Sequence, residues 1–304
     1  MSDENKTTNM LINWFPGHMN KALKTMEKDL KIVDAIIYVL DSRAPFSCVN
    51  PKFQSFIDNK PIIYVFNKID MAEKDKVNEW FKFFKKDNTT CLVMNSTASG
   101  MGKKLEETIK SACYEKINKY KEKGLVCTLR AMVIGVPNCG KSTLINNLCG
   151  KAKALTGNKP GVTKGKQWVR IASGIEVLDT PGTLWPAFDN NRVARTLAYI
   201  GSIKEEVLDV NDLAFYFIDD IRKINPSILE NRYSIQILEN DENLEVLDKI
   251  CDSRKFLLRG AEPDYDRCCK AIISDFKQGK FGALTLETYK DLKKLQVKDR
   301  LKNA

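Results

Sequence analysis

Short apolar runs alternate with amphipathic segments through the first part of the chain, as far as Leu178. A short, continuous apolar run is typical of a buried strand, whereas apolar residues three and four positions apart are typical of a helix. Strands are predicted at 34–40, 61–66, 90–94 and 128–134, followed by a hairpin of 167–171 and 175–178. Helices are predicted at 20–31, 74–85, 103–120 and 141–148. This alternation predicts an α/β fold with a mixed, mostly parallel sheet.

Beyond about Asn190 the strand patterns give way to helical ones. Apolar residues at helical spacing predict helices at 193–207, 213–224, 244–250 and 265–276. The chain is therefore predicted to have a disordered tail at 1–12, an α/β domain at 13–188 and an all-α domain at 189–304.

Three short motifs each follow a predicted strand. The segment Gly135-Val-Pro-Asn-Cys-Gly-Lys-Ser142 matches the phosphate-loop pattern G-x-x-x-x-G-K-[ST], and Asp179-Thr-Pro-Gly182 comes after it. A guanine-reading motif normally comes last, but here Asn67-Lys-Ile-Asp70 precedes the phosphate loop. The three motifs together predict a GTP-binding domain, and their order predicts a circularly permuted P-loop GTPase fold.

The phosphate loop has the residue types that nucleotide phosphates require. Gly135 and Gly140 allow backbone N–H groups to close around the phosphates, at the N-terminus of the following helix. Lys141 is expected to reach the β- and γ-phosphates, and the Gly182 N–H to face the γ-phosphate, so both are catalytic candidates. The loop residues predicted to bind nucleotide are Pro137, Asn138, Cys139, Gly140, Lys141, Ser142 and Thr143.

Magnesium is expected beside the phosphates. The Ser142 hydroxyl is predicted to bind Mg²⁺, and Asp179 to hold the same ion through water. Thr163, in Pro160-Gly-Val-Thr163, is the candidate for a second hydroxyl ligand and for nucleotide binding. The alternative is that Thr163 is an ordinary loop threonine.

Guanine recognition is expected from the loops after two neighbouring strands. The Asp70 carboxylate can accept hydrogen bonds from guanine N1–H and N2–H₂, which adenine does not offer, so an adenine nucleotide would leave it unpaired. Asn67 is expected to bond the base edge and tie loops together, while the Lys68 stem lies along the ring. Asn95 and Ser96 follow the next strand, where a backbone contact to guanine O6 is expected.

Charge and composition predict an anionic partner and a reducing compartment. The net charge is +10 with a pI near 9.0, and the stretch 123–175 holds nine Lys or Arg residues and no Asp or Glu. A solvated basic face accounts for part of this charge, and an anionic partner for the rest. The nine cysteines form no C-x-x-C pair, which favours a reducing compartment. With no membrane span and no targeting segment recognised, a cytoplasmic monomer is expected.

The chain resembles the circularly permuted GTPases of the ribosome biogenesis GTPase A family, with bacterial and organellar relatives. The resemblance rests on the three motifs and four further segments. These are Trp14-Phe-Pro-Gly-His-Met19, Asp41-Ser-Arg-Ala-Pro45, Lys159-Pro-Gly-Val-Thr163 and Leu178-Asp-Thr-Pro-Gly182 with Leu184-Trp-Pro186. Two positions depart from the family pattern: Ser42 replaces the usual Ala, and Thr183 replaces a hydrophobic residue.

The resemblance implies a GTPase switch in late assembly of the large ribosomal subunit. Its implied partners are the large-subunit precursor, rRNA and ribosomal proteins, with the C-terminal helical domain contacting RNA. Two alternatives remain: an RNA-binding scaffold that uses GTP only as a conformational ligand, and a GTPase acting in tRNA modification or at a membrane surface.

The resemblance also implies a catalytic role for His18, the only histidine of the chain. No Gln follows Gly182 to orient the attacking water, and an imidazole is able to do so near neutral pH. The alternative is that His18 caps the following helix or contacts RNA. In several GTPases an Asn at the position of Asn138 ligates a K⁺ that stabilises the developing charge. The alternative is that Asn138 only fits the turn of the loop.

Replacing Asp70 with Asn should change the preference from guanine to xanthine, because the amide donates a hydrogen bond where the carboxylate accepted one. Competition between GTP and XTP for the purified D70N protein measures this change. Unaltered GTP affinity in D70N would contradict the assignment of the base-reading loop.

Overall fold

The computed structural model describes residues 16–57, 60–98, 100–149, 167–172, 174–186, 188 and 190–290, except for the side chains of 54–56. Its sheet has six strands, β1 Ala35–Asp41, β2 Ile62–Asn67, β3 Thr89–Val93, β4 Leu129–Ile134, β5 Gln167–Ala172 and β6 Ile175–Asp179. Their order in the sheet is β3-β2-β1-β4-β6-β5. Every pair is parallel except β5 with β6, which confirms the predicted mixed, mostly parallel sheet.

The register of the parallel strands brings their carboxyl ends to one edge of the sheet. Asp41 at the end of β1 pairs with Asn67 at the end of β2, and Val133 of β4 pairs with Asp179 at the end of β6. The loops after β1, β2, β3, β4 and β6 therefore begin side by side. In open α/β sheets, this edge is where ligands bind.

Eleven α-helices lie within the described residues. They are α1 Gly17–Asp29, α2 Pro51–Ile57, α3 Lys74–Phe84, α4 Met101–Ala112, α5 Tyr114–Glu122, α6 Lys141–Cys149, α7 Asn191–Tyr199, α8 Val210–Ile224, α9 Ser227–Tyr233, α10 Asn243–Arg254 and α11 Tyr265–Lys277. We call 16–188 the α/β region and 190–290 the helical region. No strand of the sheet lies in the helical region, in agreement with the predicted all-α segment.

The helix predicted at 103–120 is two helices, because the backbone leaves the helical conformation at Cys113. The apolar spacing conceals this break, since Leu105, Ile109 and Cys113 are all buried at four-residue intervals. The following helix α5 has no fully buried residue, although Ile117 packs against the core. The short helices α2 and α9 were not predicted, because seven residues are too few to establish a helical period.

The helical region is built on the pairing of α8 with α11. One face of α8 is buried at Leu213, Phe217 and Ile221, as the helical spacing predicts. The ring of Phe217 lies 5.1 Å from that of Phe276 in α11, a typical distance for packed aromatic rings. Asp209 begins α8 as its N-cap, accepting hydrogen bonds from two backbone N–H groups of the first turn.

The chain returns to the α/β region after α11. The Leu284 N–H donates to the Met71 carbonyl at 3.0 Å, and the Leu286 N–H donates to the Arg43 carbonyl at 2.8 Å. Glu287 is buried and accepts hydrogen bonds from the Phe46 N–H at 2.8 Å and from the Ser47 hydroxyl. The segment 284–287 thus closes over loops of the α/β region, although it comes long after residue 188 in the chain.

Within the part of the chain that the structure describes, no helix has both the length and the apolar character needed to cross a membrane. The predicted tail at 1–12 lies outside the described residues, and the domain limits at 13–188 and 189–304 stay predictions.

Candidate nucleotide-binding site

The phosphate loop connects β4 to α6, and its glycines are required by close contacts. Gly140 has φ +100°, and a Cβ there would lie 2.2 Å from Nδ2 of Asn67. Gly135 has φ +150°, and its Cβ would lie 2.5 Å from the Val39 carbonyl oxygen. Only glycine combines these left-handed backbone angles with the available space, so both positions keep the loop pressed against β1 and the loop after β2.

Lys141 lies over the phosphate loop and is almost fully buried. Its Nζ donates to the carbonyls of Gly135 at 3.1 Å and Val136 at 2.8 Å. A Cβ on Gly182 would lie 3.0 Å from this Nζ and 2.6 Å from Cα of Pro137. The loop after β6 therefore crosses the phosphate loop, and the two catalytic candidates Lys141 and Gly182 are adjacent.

The predicted magnesium ligands Ser142 and Asp179 also meet. The Ser142 hydroxyl donates to Oδ2 of Asp179 at 3.2 Å. The other carboxylate oxygen, Oδ1, is buried and has no hydrogen-bond partner among the described residues. Burial raises the pKa of Asp179, while the nearby charge of Lys141 opposes this rise. A bound cation would satisfy Oδ1 and stabilise the ionised form, so the site fits Mg²⁺.

The donor set explains why composition alone does not reveal a metal site. No cluster of three His, Cys, Asp or Glu side chains suited to a metal occurs among the described residues. Mg²⁺ commonly uses one or two carboxylates together with substrate phosphates and water. Ser142 and Asp179 would hold such an ion beside the phosphates. Thr163, the third predicted ligand, lies outside the described residues.

Asn67 joins three loops on the base side of the site. Its Nδ2 donates to the Cys139 carbonyl at 2.8 Å, and its Oδ1 accepts from the Ser96 N–H at 2.9 Å and hydroxyl at 2.7 Å. Asn95 stabilises the turn in the loop after β3, since its Oδ1 accepts from the Thr97 N–H at 2.9 Å. The structure thus brings Asn67, Asn95 and Ser96 together with the phosphate loop.

Lys68 and Asp70 follow Asn67 in the base-reading loop after β2. Lys68 has the left-handed φ of 58°, and its Nζ donates to the Asn138 carbonyl at 2.8 Å. Asp70 follows in a 3₁₀ turn at Ile69–Met71 and is exposed. An exposed carboxylate in the middle of this turn is accessible to a base, as the guanine-reading assignment requires.

A buried ion pair that was not predicted from the sequence lies directly behind the base-reading loop. Asp41 accepts from Nε and Nη2 of Arg43 at 2.9 and 2.8 Å, and from Nζ of Lys68 at 2.8 Å. Burial by itself would raise the pKa of Asp41, but the two cations hold it well below its usual range. Asp41 lies at the end of a strand beside β2 and in the family segment Asp41-Ser-Arg-Ala-Pro45, but neither signal indicated the contact with Lys68.

Asn138 and its neighbour contact the helical region. The Asn138 backbone has φ 59°, and its side-chain Nδ2 donates to the Gly201 carbonyl at 2.6 Å. The Ser202 hydroxyl donates to the Pro137 carbonyl at 2.7 Å. Asn138 therefore does more than fit a turn, and its role as a K⁺ ligand stays a prediction.

His18 lies in the first turn of α1 and is exposed. Pro16 occupies the N-cap position of this helix, so the alternative that His18 caps α1 is wrong. The adjacent residue Met19 is buried, and its sulfur accepts from the Leu184 N–H at 3.4 Å. His18 is thus anchored near the loop that contains Gly182, although its action on water stays a prediction.

The described sheet and loops define a P-loop GTPase whose guanine-reading motif precedes its phosphate loop. A family model described as "50S ribosome-binding GTPase" matches residues 130–249. Ribosome biogenesis GTPase A of Bacillus cereus is 38% identical over 280 residues, which cover 92% of this chain and 94% of that protein. The chain therefore belongs to the ribosome biogenesis GTPase A family, and it is an enzyme that hydrolyses GTP.

Solved structures agree with this assignment. GNP-bound YlqF from T. maritima is 27% identical, with a TM-score of 0.58 and coverage of 88% of this chain and 98% of that one. The GDP-bound structure of TM YlqF has a TM-score of 0.61 at 25% identity, covering 88% and 100%. Membership of the GTPase family implies that the chain binds guanine nucleotides, and GTPases of this type typically use Mg²⁺.

Replacing Gly140 with Ala should lower GTP affinity by about 10- to 100-fold, because the added Cβ displaces Asn67 and breaks its hydrogen bonds to the neighbouring loops. Titration with a fluorescent GTP analogue measures the loss. Gly260→Ala is the matched control, since Gly260 has a similar φ of 93° and open space around its Cβ. Equal affinities of G140A and G260A would contradict the role given to this close contact.

Proposed function

We propose that this GTPase is a switch in late assembly of the large ribosomal subunit, which binds rRNA and precursor particles more tightly with GTP than with GDP. The names of its relatives and the description of the matching family model support a ribosomal role. We further propose that it acts as a monomer in the cytoplasm.

Contact between the phosphate loop and the helical region carries the proposal. Asn138 of the loop donates a hydrogen bond to the Gly201 carbonyl, and the Pro137 carbonyl accepts one from Ser202. Gly201 and Ser202 follow α7. A change at the phosphates therefore has a short path to the helical region. Such a path is what a nucleotide-dependent switch requires.

The chain after Gly182 supplies a second path. Leu184 and Trp185 are fully buried, and the Asn50 side chain donates to the Leu184 carbonyl at 3.3 Å. A few residues later α7 begins at Asn191. Because of the permutation, a loop ordered by the γ-phosphate leads into the helical region instead of back into the sheet.

Exposed basic residues of the helical region support an RNA partner. Arg254, Lys255 and Arg259 lie exposed at the end of α10 and in the turn after it. By contrast, Arg222 donates to Asn243 and to the Asp241 carbonyl, so it has a structural role that was not predicted. Lys223 is likewise paired with Asp219, at 2.5 Å. Arg254, although exposed, also donates to the Arg232 carbonyl at 2.6 Å. Lys255 and Arg259 are therefore the better candidates for phosphate contacts.

The basic residues near Thr163 are further candidates for RNA contact. They are Lys151, Lys153, Lys159, Lys164 and Lys166, which lie outside the described residues, and Arg170, which is exposed in β5. A nucleotide needs only one or two of these cations, and the surplus suits a polyanion.

For hydrolysis we assign each group a role at the phosphates. Lys141 neutralises charge on the β- and γ-phosphates, and the Gly182 N–H orients the γ-phosphate. Ser142, Thr163 and Asp179 would hold Mg²⁺, which would neutralise charge on the phosphates, and His18 orients the attacking water. Asn138 would ligate K⁺, for which the comparison of hydrolysis rates in K⁺ and in Na⁺ is the test.

His18→Ala should lower ribosome-stimulated GTP turnover by about 100-fold or more while leaving GTP affinity nearly unchanged, because His18 acts only on water. Single-turnover hydrolysis and nucleotide titration separate the two effects. Equal stimulated turnover in H18A would remove His18 from the mechanism. If H18A is inactive but still supports subunit assembly, GTP serves as a conformational ligand of an RNA-binding scaffold.

The GTP-analogue form should bind a large-subunit precursor more tightly than the GDP form, and both should release as salt rises. Sedimentation with purified particles measures this difference. Charge reversal at Lys255 and Arg259 should weaken binding and lower the log–log salt slope by about 0.7–0.9 for each phosphate that is no longer neutralised. The control reverses Lys103 and Lys104, which are exposed on α4 in the α/β region. Equal binding of both nucleotide forms at every salt concentration would contradict the switch.

A further inference from the structure

The buried carboxylate of Asp41 lies between the base-reading loop and the helical region. On one side it accepts from Lys68, whose Nζ also bonds the phosphate-loop carbonyl of Asn138. On the other side it accepts two hydrogen bonds from Arg43. Because β1 lies between β2 and β4 in the sheet, the end of β1 faces both nucleotide-binding loops. Lys68 therefore sits where the loops of the site converge.

Arg43 continues this connection into the helical region. Its Nη1 donates to the Phe276 carbonyl at 2.8 Å, and its guanidinium lies 4.8 Å from the centre of the Phe276 ring. Phe276 is in the last turn of α11, where a cation is favourable for the helix dipole. The same carbonyl accepts the Gly279 N–H at 3.0 Å, so Arg43 helps to define how α11 ends.

A second contact joins the same two parts of the molecule. Gly279, just after α11, has φ +74°, and a Cβ there would lie 2.9 Å from Cγ of Met71. Met71 ends the 3₁₀ turn that contains Asp70. Its carbonyl also accepts the Leu284 N–H. The base-reading loop therefore packs directly against the end of α11.

Because these charges are buried, α11 is docked in one defined position and not in a continuous range of positions. Arg43 is 1% exposed and Asp41 is fully buried, so neither charge can lose a partner without a large free-energy cost. Movement of α11 away from the α/β region would take the Phe276 carbonyl from Arg43 and leave a buried donor unpaired. Release of Lys68 when the nucleotide leaves would take a partner from the other side of the same carboxylate.

We propose that Asp41 and Arg43 are positioning residues that couple guanine-nucleotide binding at Lys68 to the docking of α11 on the α/β region. Binding of the base holds Lys68 against Asp41, Asp41 holds Arg43, and Arg43 holds the end of α11. By reciprocity, docking of α11 strengthens nucleotide binding by the same factor. This inference rests on nucleotide binding alone and requires no ribosomal partner, so failure of the assembly role would leave it intact.

Hydrogen–deuterium exchange of the full chain with and without GDP tests the coupling. In the native protein, GDP should slow exchange of the amides at 278–280, which lie far from the nucleotide in sequence. Arg43→Lys keeps the charge but loses the planar fork that reaches Asp41 and Phe276 together. We expect R43K to bind GDP about tenfold more weakly and to lose the GDP-dependent slowing at 278–280.

Arg232→Lys is the matched control. Arg232 also donates through Nε and Nη2 to a carboxylate, that of Asp275, next to Phe276 on α11, but this pair lies entirely within the helical region. R232K should speed basal exchange near the end of α11, keep GDP affinity within about twofold and keep the GDP-dependent slowing. Because the coupling is reciprocal, either native GDP affinity or native GDP-dependent slowing in R43K would overturn the proposal.

Phe276→Leu tests the other end of the connection should R43K not fold. It removes the ring beneath Arg43 and leaves the pair of Arg43 with Asp41 in place. F276L should show less GDP-dependent slowing at 278–280 than the native protein. An unchanged difference between the GDP-bound and free forms of F276L would also overturn the proposal.

Discussion

The alignment of parallel strand ends is the constraint on which the rest of this structure depends. Because β1, β2, β3, β4 and β6 run in the same direction, their carboxyl ends lie at one edge of the sheet. The guanine-reading loop after β2 and the phosphate loop after β4 are thereby brought within hydrogen-bond distance through Asn67. The order in which the chain visits these strands does not matter for this geometry. A permuted chain can therefore form the site of an ordinary GTPase.

Permutation changes where the chain continues after the site. The loop containing Gly182 leads within a few residues to α7, and the segment at 284–287 closes over the α/β region from the opposite end of the helical region. Buried polar groups define how the two regions fit, as Arg43 does between Asp41 and the Phe276 carbonyl. An apolar interface tolerates small shifts, whereas a buried ion with defined hydrogen bonds does not. This difference suits the coupling that we propose between the bound nucleotide and the docking of α11.

The sequence by itself determined the parts of this protein that depend on local chemistry. Motif residues such as Lys141, Ser142 and Asp70 identified the nucleotide, because phosphate and guanine recognition require those side chains at short spacings. Apolar runs located the strands, and helical spacing located most of the longer helices. The helix predicted at 193–207 ends at Tyr199, just before Gly201 with its positive φ of 79°. The short helices and the break at Cys113 were not predicted, because the spacing of apolar residues over a few turns does not indicate where a helix begins or bends.

Only the tertiary structure decided which distant residues meet. Arg43 and Phe276 are 233 positions apart, and neither has a local pattern that indicates the other. The same holds for Asn138 with Gly201 and for Lys68 with Asp41. Such contacts follow from strand order and from the packing of α11, which are global properties of the chain. Local sequence specifies the chemistry that each loop can perform, and the fold decides which loops perform it together.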